Sequence, residues 1–423
     1  MIKLKDDVYW VGVRNPDLRK FDILLDTPWG TTYNSYLIKA EKIALIDTVW
    51  SKFTEDFLKK IKSLVNLQEI TYIILNHLEP DHSSSLPALL KETKNATVVF
   101  SRTAEHFYKN TFRFPSSVPS LKVGDGESIN LGNKNLKFIS APFLHWPDTM
   151  FTYLEDEKSR GDPVDEISLR GDLVSLRDER ILFPCDCFGC HFCPETEEKI
   201  FNDLAGDFSS AFQYYFSHII RPYKEFVLPA VEKLTRLSGN QESKIEIIAP
   251  SHGPILRKDP WKYVNQYVEW STPPKRDKKK IIIFYVSAWG MTEKIAKSIE
   301  QGTKSVENLE VNLYDASQVD LEKMRDEIEL ADGIILGSPT VCGDVIKPIW
   351  DILAIMSSVK VKGKKAAAFG SYGWSGEAVK LIEERLKALK MKVIESGLRF
   401  CFMPTDEDLD KCRDFGKNFA SEI

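Results

Sequence analysis

Histidines and acids recur in this sequence at positions where they could share metal ions. His77, Glu79, Asp81 and His82 crowd one short stretch, His145 and Asp148 form a second group, and Asp186 and His252 stand further on. Each group follows an apolar run: Ile70–Asn76, Leu136–Ser140, Ile181–Pro184 and Ile245–Ala249. Strand ends on a rigid sheet bring residues that are distant in sequence to one place. A single loop histidine or carboxylate is ordinarily a turn or surface group. The repeated return from strand ends is what points to a metal centre. Imidazoles mixed with carboxylates suit iron, manganese or zinc, and the carboxylate share shifts weight towards iron or manganese. A carboxylate can also bridge two ions and hold them close.

Two further groups carry chemistry. Ser287, Ala288, Trp289, Gly290, Met291 and Thr292 lie between an apolar stretch, Lys280–Val286, and a predicted helix, Thr292–Gly302. Small hydroxyl residues and backbone N–H groups at a helix start can surround a phosphate. The loop lacks the GxGxxG dinucleotide fingerprint. In CDCFGCHFC, four thiols (Cys185, Cys187, Cys190 and Cys193) surround Asp186. Sulfur favours zinc or an iron–sulfur cluster over a carboxylate site, yet this spacing is conventional for neither. Packed reduced thiols, an additional metal or iron–sulfur cluster, and redox chemistry are the three readings. His191, in the same run, either joins such a site, orients an existing one or simply packs.

The elements that position these groups divide into two regions. The first mixes short strands (Val8–Val13, Asn34–Ile38, Ile43–Asp47, Ile70–Asn76, Ala96–Ser101, Leu136–Ser140, Met150–Leu154) with a helix over Phe53–Val65 and a helical zone between Lys199 and Leu237. HLEPDHSSS reads as a loop. This mixture predicts two sheets with covering helices. Thr272, Pro273 and Pro274 interrupt regular structure and set the boundary, giving domains 1–272 and 273–423. Beyond it, five strands alternate with helices, which predicts an open, mostly parallel sheet. Glu155–Glu179 exceeds the turn expected between its flanking strands and reads as an inert surface insertion or a cover over an entrance.

Composition narrows the setting. The 423 residues are 43% hydrophobic and 28% charged, with a net charge of 57 − 62 = −5. That excludes a disordered chain and offers no basic footprint for nucleic acid. No apolar run is long enough for a membrane span, and the start lacks a signal peptide's apolar core. Seven cysteines do not suggest a disulfide scaffold. A cytoplasmic protein is expected.

Taken together, the motifs resemble those of a known family. NHLEPDHSSSLP resembles the metal loop of flavodiiron proteins (A-type flavoproteins), and GTTYNSYLI, HWPDTM, CDCFG and APSHGPI follow that family's order. The resemblance implies an N-terminal metallo-β-lactamase-like αββα sandwich followed by a flavodoxin-like doubly wound parallel-sheet domain. It places His77, Glu79 and His145 around one iron, Asp81, His82 and His252 around the other, and Asp186 between them. His82 is the member that solvent can replace. Glu79 stands where an ordinary hydrolase of this fold has a histidine. SAWGMT resembles a flavodoxin phosphate loop, with Ser287 and Thr292 on the phosphate of FMN. GSPTVCGD and GSYGWSG resemble the two flavin-ring loops, which implies contacts from Pro339, Thr340, Val341, Cys342, Gly343, Ser371, Tyr372, Gly373, Trp374 and Gly376.

The implied activity is reduction of dioxygen to water, of nitric oxide to nitrous oxide, or both. The implied assembly is a head-to-tail homodimer, in some cases paired into a dimer of dimers. With no appended rubredoxin-like domain expected, the electron donor is a separate rubredoxin or reduced coenzyme F420. A metal-dependent hydrolase with a flavin domain, and a thiol-based redox sensor or electron-transfer protein, are the alternatives.

Overall fold

A computed structural model describes residues 2–23, 25–115, 117–156, 180–237 and 245–423. The chain forms two compact units, Met1–Pro273 and Pro274–Ile423. Most of Glu155–Glu179 lies outside the described residues.

The first unit stacks two sheets. One has the order Ile2–Lys5, Val8–Trp10, Tyr36–Lys39, Ile43–Ile46, Ile70–Leu75, Thr97–Ser101 and Ser120–Val123. Its pairing changes from antiparallel to parallel at Ile43–Ile46. The other runs Ser128–Asn130, Lys134–Ser140, Met150–Asp156, Arg180–Phe183 and Ile247–Ile248. Strand alternation divides the side chains between layers. From Ile70–Leu75, Ile74 joins Trp10, Phe138, Leu154 and Phe183 between the sheets, while Ile73 and Leu75 turn outward beneath Phe57, Ile61, Leu86 and Leu89. On the opposite outer face, Phe151, Tyr153 and Leu182 meet the helices Ser209–Tyr215, Val227–Leu237 and Pro260–Ser271. The result is a helix–sheet–sheet–helix sandwich, as expected.

Local details depart from the expectations. HLEPDHSSS contains a helical turn, Pro80–Ser83, begun by a proline whose missing N–H costs nothing at a first helical position. The zone Lys199–Leu237 is broken into Ser209–Tyr215, a π-helical segment Phe216–Ile220, a 3-10 segment Arg221–Phe226 and Val227–Leu237.

In the second unit, Leu309–Asp315, Lys279–Tyr285, Gly333–Val341 and Lys365–Tyr372 pair in parallel in that order. Lys392–Val393 and Leu398–Cys401 both pair with Lys365–Tyr372, so the last of the five expected strands is two short ones. Central strands are apolar on both faces. Ile281 and Ile283 face Met291–Lys304 and Asp406–Ser421, while Ile282 and Phe284 face Leu321–Leu330, Lys347–Ile355 and Glu377–Ala388. Met291–Lys304 and Asp406–Ser421 approach at two glycines: a Cβ on Gly302 would lie 1.8 Å from the Arg413 carbonyl oxygen. The strand order reverses between Lys279–Tyr285 and Gly333–Val341. At such a switch, loops at the carboxyl edge diverge and leave a crevice for a ligand. No helix among the described residues is long and apolar enough to cross a membrane.

Candidate metal centre and flavin loops

All seven expected ligands come together at the carboxyl ends of the two sheets. The ligand atoms of His77, Glu79, His145 and Asp186 lie within 4.8 Å of one another, as do those of Asp81, His82 and His252. Glu79 Oε2 is 3.0 Å from His77 Nε2 and 3.2 Å from His145 Nε2. Asp81 lies 3.4 Å from His82 Nε2 and 3.1 Å from His252 Nε2. Asp186 faces both groups. Its Oδ2 is 3.8 Å from His77 Nε2 and 3.6 Å from His145 Nε2, whereas its Oδ1 is 3.2 Å from His82 Nε2 and 3.4 Å from His252 Nε2. One carboxylate thus turns an oxygen to each ligand set.

Second hydrogen bonds aim the imidazoles. The Asp148 carboxylate lies 3.2 Å from His77 Nδ1 and accepts the Leu78 N–H at 2.9 Å. His252 Nδ1 lies 2.7 Å from the Thr32 carbonyl oxygen, which can only accept, so Nδ1 carries the proton. In both rings Nε2 is left to face the centre.

Charge and burial fit cations. Burial alone would raise the Asp186 carboxyl, but His82 and His252 outweigh it and hold it well below the usual range. Burial would likewise lower His82, but Asp81 and Asp186 raise it to about 10. Both Asp81 oxygens and His82 Nε2 are buried and, although charged neighbours lie 3.1–3.4 Å away, none of those contacts has the geometry of a hydrogen bond. Buried polar atoms left unpaired are costly, and a pair of divalent ions would answer all three. The residues present therefore fit a dinuclear centre.

The second unit presents its loops at the carboxyl edge of its sheet. Gly290, at φ +77°, caps the start of Met291–Lys304 and turns the loop into the helix. Ser287 Oγ is buried with no partner, and Thr292 Oγ1 lies 2.8 Å from Ser371 Oγ. An orphaned hydroxyl beside a helix N-terminus is the cradle a phosphate needs. Thr340 pairs with Val345 across a turn at Cys342 and Gly343, both with positive φ. Trp289, Val341 and Trp374 are exposed, as are Phe402 and Met403. The latter two follow the strand Leu398–Cys401, and Phe402 N–H donates to the Tyr372 carbonyl at 2.8 Å. No sequence motif pointed to this pair. A polar cradle with an apolar rim suits a flavin mononucleotide.

Comparison with known proteins agrees with both halves. Residues 31–161 match the family model described as ODP family beta lactamase, and residues 283–416 match that of flavodoxin. The chain is 39% identical over 422 residues to the type A flavoprotein FprA of Rhodobacter capsulatus, covering 98% of this chain and 90% of that protein. It is 38% identical to the flavo-diiron protein FprA2 of Clostridium acetobutylicum, covering 100% and 99%. A nitric oxide reductase of Moorella thermoacetica is 32% identical, with coverage of 100% and 98%. Among solved structures, rubredoxin oxygen:oxidoreductase from Desulfovibrio gigas superposes with a TM-score of 0.65 at 27% identity, covering 99% and 98%. The chain belongs to the flavodiiron, or type A flavoprotein, family.

In this flavodiiron protein, residues beyond the ligand set hold it in place. Asn34 Nδ2 donates to the Pro250 and Gly253 carbonyls at 2.8 and 2.9 Å, Tyr36 OH donates to Pro250 at 2.6 Å, and Thr32 Oγ1 accepts from Gly253 N–H at 2.8 Å. GTTYNSY is therefore the clasp on the His252 loop. Gly253 must be glycine there: its φ is +76°, and a Cβ would lie 2.5 Å from the Cys190 carbonyl oxygen. Asp47 accepts from Asn76 N–H at 2.8 Å and lies 3.4 Å from Ser251 Oγ, tying together the residues that precede His77 and His252. Burial pushes its carboxyl up to about 6. Tyr215 OH donates to Asp186 Oδ1 at 3.1 Å. Asp22, on the hairpin between Lys20–Phe21 and Leu25–Asp26, is pushed up to about 6 by burial and by Glu79 and Asp81. Sequence reasoning gave none of these residues a role at the centre.

The four thiols are not gathered at one point. Cys187 and Cys190 sit in the apolar cluster under the outer helices, and the Cys193 thiol donates to the Pro194 carbonyl at 3.7 Å. Cys185 donates to Asp186 Oδ2 at 3.6 Å. It is the only one of the four in a group of three or more donor residues among those described, with His82 and Asp186.

Proposed function

We propose that this flavodiiron protein reduces dioxygen to water, nitric oxide to nitrous oxide, or both, with a diiron centre in the first unit and FMN in the second. The observation that carries the reading is Asp186, which offers one oxygen to each of two three-residue ligand sets. His77, Glu79 and His145 would hold one iron and Asp81, His82 and His252 the other, with Asp186 between them. Ser287, Thr292 and the N–H groups of Gly290 and Met291 would hold the flavin phosphate. When bound, these groups store the four electrons that one dioxygen requires and the two that a pair of nitric oxide molecules requires.

The chain's own residues supply position and charge. Three carboxylates offset the charge of the ions. Asp148 and the Thr32 carbonyl keep two imidazoles in the ligating tautomer. Tyr215 places a hydroxyl beside the shared carboxylate. The ligand side chains are buried, His145 being the most exposed of them at 13%.

Likeness to the rubredoxin oxygen:oxidoreductase of Desulfovibrio gigas supports a rubredoxin as donor. The exposed rim of Trp289, Trp374, Phe402 and Met403 supports a homodimer that covers the flavin edge. Cys187 and Cys190 serve as packing residues, because burial pushes both thiols up and out of reactive range. Turnover with reduced rubredoxin should consume dioxygen or nitric oxide without releasing hydrogen peroxide. Flavin-independent ester hydrolysis by a zinc-loaded form, with no gas turnover, would overturn the proposal.

A further inference from the structure

His191 carries an unused nitrogen beside the metal centre. The residue is 4% exposed and sits five positions beyond Asp186. Its Nδ1 lies 3.0 Å from Thr31 Oγ1, while its Nε2 is sealed from solvent with no hydrogen-bond partner. Such an atom is tolerated where something outside the chain completes it.

Its neighbours say where that is. Phe21 packs on the ring with centroids 4.6 Å apart. Tyr215 meets it edge-on at 4.9 Å and reaches on to Asp186 Oδ1. His252 lies at 5.0 Å, and its own Nε2 faces Asp81. Two of the four residues enclosing the imidazole thus touch the second ligand set or the carboxylate shared with it. Thr31 Oγ1, also 3.4 Å from His252 Nδ1, fixes the ring from behind that ligand. Thr31 Oγ1 also lies 3.2 Å from the Thr32 carbonyl, which already accepts from His252 Nδ1–H at 2.7 Å; given instead to the nearer His191 Nδ1, the hydroxyl proton leaves Nε2 protonated and a donor.

We propose that His191 donates a hydrogen bond from Nε2 to the exogenous ligand, a diatomic molecule or small anion, bound on the Asp81–His82–His252 side. This rests on the dinuclear reading above. His191 is then a ligand-contacting residue, which favours partners that gather negative charge at the atom facing it. None of the seven proposed ligands would supply such a donor: their inward-facing atoms would be taken by the ions, and the Nδ1 atoms of His77 and His252 are held by Asp148 and the Thr32 carbonyl.

Azide provides the test. Protein loaded with iron and FMN is titrated with azide and followed by its optical spectrum, and iron is counted in each variant. His191→Leu should retain the iron of the wild type and bind azide about tenfold more weakly, the effect of one lost hydrogen bond. His191→Gln, which keeps a side-chain N–H, should fall between them, and Thr31→Val should weaken azide in the same direction. Unchanged azide affinity in iron-replete His191→Leu would overturn the proposal. Loss of iron from both His191 variants would also overturn it, by making the residue a support for the metals. A wild-type chain that takes up no iron would instead defeat the dinuclear reading and this proposal with it.

Discussion

Asp186 joins the two halves of the candidate centre, and Asp148 shows how strongly such a centre depends on residues that touch no metal. The Asp148 carboxylate orients His77 and holds the backbone that follows it. Asp148→Ala should therefore keep the fold but lower iron affinity by about 10–100-fold, measured by competition with a chelator. Unchanged affinity would show that His77 needs no such support. The thiols make a second prediction. Cys342 and Cys401 are exposed, whereas Cys187, Cys190 and Cys412 are buried, and burial pushes Cys412 up to about 12. Thiolate forms only as pH approaches the thiol's own pKa, so the buried thiols should resist iodoacetamide at about pH 8 while Cys342 and Cys401 react. Rapid labelling of Cys187 in folded protein would restore the redox-sensor alternative.

At the scale of elements, glycines set how closely helices approach. Gly302→Ala would force a methyl group against the Arg413 backbone, where neither helix can yield without moving the other. It should destabilise the second unit by about 1–3 kcal/mol in urea unfolding, and a neutral result would mean that the helices shift freely. Elements also determine what the sequence could reveal. The seven proposed ligands were legible because His and acid types follow apolar runs, and runs of that kind become strands. The loop Ser287–Thr292 was legible because strand, small-residue loop and helix are contiguous in sequence, whereas the two loops around Cys342 and Gly373 were reached only through the family resemblance. The clasp was not: Asn34 to Pro250 and Asp47 to Ser251 join residues separated by 216 and 204 positions, and no local periodicity records such bonds. Tyr215 was hidden for another reason. It ends a helix that passes into a π-helical turn at Phe216, and nothing in the spacing of Tyr214 and Tyr215 tells which one faces inward. The helical turn Pro80–Ser83 was read as loop because it is one turn long, too short for a pattern to repeat.

For the whole molecule, the chain divides at Pro273 and Pro274, and each unit has its own apolar clusters. Residues 274–423 expressed alone should fold and bind about one FMN per chain, followed by flavin fluorescence quenching. Failure of a folded fragment to bind FMN would show that its loops do not form the cradle unaided. The most direct test of the central claim is metal and flavin content of the full chain, purified anaerobically with both cofactors supplied. The predicted result is about two irons and about one FMN per chain, with Mössbauer spectra showing the irons coupled as a pair. Two zinc ions and no flavin, under the same supply of iron and FMN, would contradict it.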